Sequence, residues 1–236
     1  MTDDPSHPQD LTPPAPTPRD WAHSAVRGAL SLAPVVGGAA SELFVALVTP
    51  PLERRRQEWM TAVGAALTDL AECGRVDLNA LRDDPGFIDT VLQATNAALR
   101  TSQEAKRDAL CNTILNSTRF GAPDLTTRHI FIGLIDEFTD WHLHFLKLCD
   151  DPVAWFASKG VTKPALSVGA LVGILEAAFP NTRPHGDLVS QIWKDLHDHG
   201  LVNTDSLHTI MSSHGLWARR TTDLGRQFLA FLADPR

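Results

Sequence analysis

The chain has 236 residues, 43% of them hydrophobic, which is enough for one or two domains with a real core. A formal net charge of -7 and a pI of about 5.7 argue against a constitutive, sequence-independent nucleic-acid binder. Cys73, Cys111 and Cys149 form no CxxC pair and sit beside apolar helical positions, so they read as buried thiols in a reducing compartment.

The first stretch, MTDDPSHPQDLTPPAPTPRD, is acidic and Pro-rich, which predicts a disordered tail over residues 1–20 and no signal peptide. WAHSAVRGALSLAPVVGGAASELFVALV follows, and between Arg27 and Glu53 its only charge is Glu42. Pro34, Gly37 and Gly38 cut this run into two pieces of roughly 10 to 13 residues, each too short to cross a bilayer. The pattern predicts a tight apolar helical hairpin, closed by Thr49-Pro50-Pro51. It is either a buried pair of core helices or an element that meets a membrane or a partner. In the second case Val35, Val36, Gly37 and Gly38 form its tip, and Arg54, Arg55 and Arg56 meet anionic headgroups. Against the second case, Glu53, Glu58 and Asp69 share the next helix, and Arg54 to Glu58 is an ordinary i,i+4 pair.

A helix starting at Leu52 is expected to place Trp59, Met60, Val63, Leu67, Leu70 and Ala71 near one face and to stop at Gly74. Residues 85–118 then hold apolar residues at helical spacing from Phe87 and Ile88 to Leu110 and Ile114. Asp84 is the natural cap and Pro85 the first-turn proline, so one helix of about 34 residues, roughly 50 Å, is expected there. Its polar middle, 100–108, reads as a solvated or inter-domain face. The helical region thus covers 21–122.

Residues 120–123 make a turn, and 123–236 read as a winged-helix-like domain. Asp124 or Thr126 caps a helix carrying Ile130, Phe131, Leu134 and Ile135, and Asp140 caps the next, with Trp141, Phe145 and Leu146 packing. Helices over 167–179 and 186–199 precede two short extended runs, 207–211 and 216–219, around Ser212-Ser213-His214-Gly215. A helix Asp223–Leu232, capped at Thr222, closes the order. The fold class is therefore mostly α: an apolar hairpin plus long helices, then a winged-helix-like unit with a short β-hairpin. If that unit reads DNA, Gln191, Lys194, Arg219, Arg220 and Arg226 make the contacts, although Asp187, Asp195 and Asp198 share the third helix and repel a polyanion.

Chemistry-bearing motifs are sparse. His142 and His144, like His197 and His199, are spaced i,i+2 and diverge on a helix, so no metal site is expected; helix capping is the plainer role for the second pair. There is no Walker loop, GxSxG elbow, HExxH or GxGxxG. Asp136-Glu137 and Asp150-Asp151 diverge as neighbours on a helix, and serine and histidine in the SSHG turn are too close in sequence to pair well. No cofactor and no enzyme activity are expected.

Over 85–236, LIDEFTDWHLHFLKLCDDP and the later IWKDLHDHGLV … RRTTDLGRQFLAFL resemble, in spacing and general pattern, bacterial proteins of the abortive-infection alpha type. The resemblance implies a bacterial, phage-defence context and carries no catalytic motif. The expected function is a non-enzymatic interaction protein acting on a protein partner, a second copy or an anionic membrane surface. The alternative is a winged-helix transcriptional regulator. The expected location is the cytoplasm, with a peripheral position on the inner membrane if the hairpin binds lipid.

Overall fold

A computed structural model describes residues 38–235 of the chain, and it is mostly helical. The tail, the first arm of the apolar hairpin, and Val35, Val36 and Gly37 lie outside the described residues. The chain divides into two compact units, Met1–Pro51 and Leu52–Arg236. The first helix, α1, is Gly38–Glu72.

Two expectations about α1 are corrected. Gly38 belongs to the helix, and Thr49-Pro50-Pro51 does not end it. A proline lacks its N–H, so Pro50 and Pro51 leave the carbonyls of Ala46 and Leu47 without their intrahelical donors. The loss is confined to two bonds, and the division between the units falls at the same point. In the second unit, α1 buries Trp59, Val63, Ala66 and Leu70, a stripe at helical spacing. Leu52 and Met60, expected on that face, are exposed.

The helix expected over 85–118 is two helices, α3 (Pro85–Arg100) and α4 (Glu104–Ser117), preceded by the short α2 (Leu78–Arg82). Asp84 caps α3 through Gly86 and Phe87 N–H groups, as expected. The break at 101–103 has a local cause: Thr101 Oγ1 accepts the Gln103 N–H at 3.1 Å, a side-chain turn that competes with the helix. The break lets α3 and α4 pack against one another and share Ala94, Ala98, Leu110 and Ile114 in one core. Ile88 and Leu92 face solvent.

Next come α5 (Leu125–Glu137), capped by Asp124, and α6 (Asp140–Asp150), whose N-cap is Thr139 rather than Asp140. α7 (Pro152–Lys159) ends at Gly160 as expected. Phe131, Phe138 and Phe228 are buried together, with Phe131 and Phe228 edge-to-face at 5.2 Å; burying each ring stabilises by about 1.5–3 kcal/mol. Residues on both sides of the 120–123 turn share this core.

The carboxyl-terminal elements are β1 (Val168–Gly169), α8 (Leu171–Ala178), a 3-10 turn (Pro180–His185), α9 (Gly186–Asp198), β2 (Met211–Ser212), α10 (Ser213–Leu216) and α11 (Asp223–Leu232). The hairpin expected between 207–211 and 216–219 is replaced by other pairings. β2 pairs antiparallel with β1, Val168 opposite Ser212 and Gly169 opposite Met211, and Val202 bridges Thr221. Residues 213–216 coil into a helical turn instead, with Ser212 Oγ accepting the Gly215 N–H. Trp193 Nε1 donates to Thr204 O at 2.8 Å and pins the loop after α9. α11 starts against the Leu201 carbonyl, where a Cβ on Gly225 would lie 2.2 Å from that oxygen, so only glycine fits.

Candidate functional site

Of the residues assigned to a membrane or partner contact, Gly38 opens α1 and Arg54 is exposed. Arg55 is engaged inside the second unit: its Nη1 donates to Leu99 O at 3.0 Å, against the end of α3. Arg56 is half-buried. In the first unit three large apolar residues of α1 are exposed. Leu43, Phe44 and Leu47 are 61%, 54% and 64% exposed, and their i, i+1, i+4 spacing puts them on one side of the helix.

Of the five residues assigned to DNA, Gln191 and Lys194 lie on α9, Arg219 and Arg220 in the segment before α11, and Arg226 on α11, and each has an intramolecular partner. Gln191 Nε2 donates to Asp195 Oδ1 at 2.6 Å, and Lys194 pairs with Asp198 one turn on. Arg219 Nε donates to Asp150 O at 2.8 Å and lies 3.3 Å from its carboxylate. Arg220 donates to the Gly215 carbonyl and to Met211 Sδ; Arg226 pairs with Asp223. The Lys194–Asp198 bond holds the lysine's charge above and the aspartate's below their usual pKa ranges.

Sequence reasoning missed a polar seam at the α5–α6 elbow. His142, buried, stacks on Phe138 with centroids 4.5 Å apart and rings 5° from parallel. The Thr139 N–H donates to His142 Nδ1 at 3.1 Å, so the neutral ring carries its proton on Nε2, which lies 3.3 Å from Asp195 Oδ2 on α9. Thr139 Oγ1 is also 3.0 Å from Nδ1. Hydroxyl, imidazole and carboxylate in that order have the sequence of a nucleophilic relay, but the Nδ1 lone pair already takes a backbone N–H. The ring's evident work is to lock the start of α6 to α9. Burial pushes its pKa below the usual histidine range, against the opposing pull of Asp195.

Beside the elbow, buried Lys106 donates to Asp136 O at 2.8 Å and covers the last turn of α5, while Arg100 pairs with the Asp136 carboxylate. Within 100–108, expected to be a solvated or inter-domain face, Lys106 is thus buried against α5. Burial pushes the Lys106 pKa down, and Asp136 and Asp140 oppose it. Apart from the Thr139–His142 cap, the seam had no short-range signal, because its other partners are 30 and 53 residues apart.

Cys149 is buried and its pKa is pushed up to about 12, an inert thiol; Cys73, expected to be buried, is exposed. The largest cavity described, about 950 Å³, opens between Trp59, Arg107, Asp108, Lys147, Asp150 and Leu229, a mixed lining with no single chemistry. Comparison with known families, with curated proteins and with solved structures gives no match.

Proposed function

We propose that the chain is a non-enzymatic interaction protein in the bacterial defence setting that its sequence resembles. The observation that carries this reading is the outward apolar strip Leu43, Phe44 and Leu47. A helix holding three large apolar side chains in water is suited to lay them on a partner or a bilayer surface. Among the described residues no helix is long and apolar enough to cross a membrane.

The order α6, α7, β1, α8, α9, β2, with the Val202–Thr221 bridge, is compatible with a winged-helix-like unit. We read that unit as a packing and protein-interaction module. Its cations are held by Asp198, Asp150, Gly215 O and Asp223, which disfavours the alternative of a transcriptional regulator.

The test compares the full chain with a Leu43→Ser, Phe44→Ser, Leu47→Ser variant. Co-sedimentation with phosphatidylglycerol vesicles and analytical ultracentrifugation of the protein alone are the two readouts. The wild type is expected to pellet with vesicles or to self-associate, and the variant to do neither while keeping its circular dichroism spectrum. A wild type that stays monomeric and in the supernatant in both assays sinks the reading.

A further inference from the structure

A second surface, confined to the second unit, is built around the exit from α4. The N–H groups of Thr118 and Arg119 go to Leu115 O and Asn116 O, and the Ala122 N–H closes a four-residue turn on Arg119 O at 3.1 Å. Gly121, third in that turn, has φ 79°, the backbone geometry a type II turn requires at this position and glycine supplies. Phe120, second in the turn, is thereby held fully exposed on a hydrogen-bonded support.

Phe120 forms a wall shared by two grooves. One, of about 510 Å³, has Leu70 and Val76 in its lining; the other, of about 470 Å³, has Ala230 and Phe231. In a chain of net charge -7, no Asp or Glu lines either groove, and the charged lining residues are Arg75 and Arg119. Each guanidinium has five N–H donors. Arg75 uses one on Pro235 O at 2.8 Å, and Arg119 one on Asn116 Oδ1 at 3.4 Å; neither is in an ion pair among the described residues.

We propose that this surface docks an acidic peptide segment of a partner protein. An aromatic or leucine anchor of that segment fills a groove against Phe120, and its carboxylates meet Arg75 and Arg119. Charge complementarity selects this occupant. Two arginines are too few to track a nucleic-acid backbone, and one aromatic tip is too small an apolar face to hold a bilayer. A second copy brings the same two arginines to the contact and no carboxylate from the groove linings. Aromatic and arginine side chains are also the types that carry most interface energy.

The test selects binders from a phage-displayed random dodecapeptide library on the immobilised full chain, then measures synthetic versions by fluorescence anisotropy. Expected are acidic sequences with at least one aromatic residue or leucine, whose affinity falls about tenfold or more with Phe120→Ala and with Arg119→Glu. Arg75→Glu is the second charge variant, and unchanged melting curves establish that each variant is folded. Selected peptides that are basic or uncharged, or acidic peptides that bind the variants unchanged, overturn the proposal. So does the recovery of no saturable binder, or a wild-type dimer that Phe120→Ala dissociates.

Discussion

Protonation of His142 is opposed by burial and favoured by Asp195, and burial is the larger effect. The titratable groups around the ring are Asp195 on α9, His199 at its C-cap and Glu137 on α5. Because the folded-state pKa lies below the unfolded value of about 6.5, both states hold a neutral ring above that pH. Below it the unfolded chain takes up the proton first, so stability present at neutral pH is lost as pH falls toward the folded pKa. Urea unfolding between about pH 7 and pH 5 should show a falling unfolding free energy for the wild type and a flatter slope for His142→Asn. An equal slope in both proteins would place the titration elsewhere. A sequence reading reaches His142 only as one member of an i,i+2 pair, because Asp195 is distant in the chain. Phe120 was readable as a turn residue; its exposure depends on the turn that Gly121 makes possible, which spacing alone does not reveal.

Helix ends were the most legible elements, because each depends on one or two adjacent residues. Asp84 and Thr222 cap as expected, Asp124 is the one of the pair Asp124 and Thr126 that caps α5, and Gly160 terminates α7, whereas Thr139 takes the place expected for Asp140. What failed was continuity. The apolar spacing of 85–118 resumes at Ala105 after the polar run 100–104, so that run reads as one face of a continuous helix, and only the pair Thr101 and Gln103 signals the reversal. At Pro50-Pro51 the error ran the other way, since a two-bond loss was read as an end. Strand pairing failed because residues 213–216 form a helical turn and free β2 to pair with β1 far upstream. The α3–α4 break also leaves a local weakness. Gln103, the N-cap of α4, makes no side-chain cap. Gln103→Asp should stabilise the protein by about 1 kcal/mol, seen as a higher urea midpoint with an unchanged slope. A lower midpoint would mean that the break is strained against a capped geometry.

In the second unit the core is completed by contacts between elements far apart in the chain. Buried Asn116 donates to both Phe231 O at 3.0 Å and Ala233 O at 2.7 Å, and Asn112 donates to Leu232 O at 3.0 Å. These bonds satisfy the last carbonyls of α11, which have no helical donors of their own. Asn116→Ala leaves two of them without this donor, so it should cost about 2–4 kcal/mol in chemical denaturation. Asn112→Ala, which removes one bond at a half-buried site, should cost clearly less. Equal losses would show that α11 is held by its phenylalanines alone.

The dependence of α4 on α11 has a consequence for biosynthesis. α4 emerges from the ribosome more than a hundred residues ahead of the carbonyls its asparagines need. Until Asp223–Leu232 has been translated, Leu110, Ile114 and Phe131 have no Phe228 or Phe231 to complete their core. Until then these apolar side chains of the nascent second unit stay uncovered, and the docking of α11 closes their core.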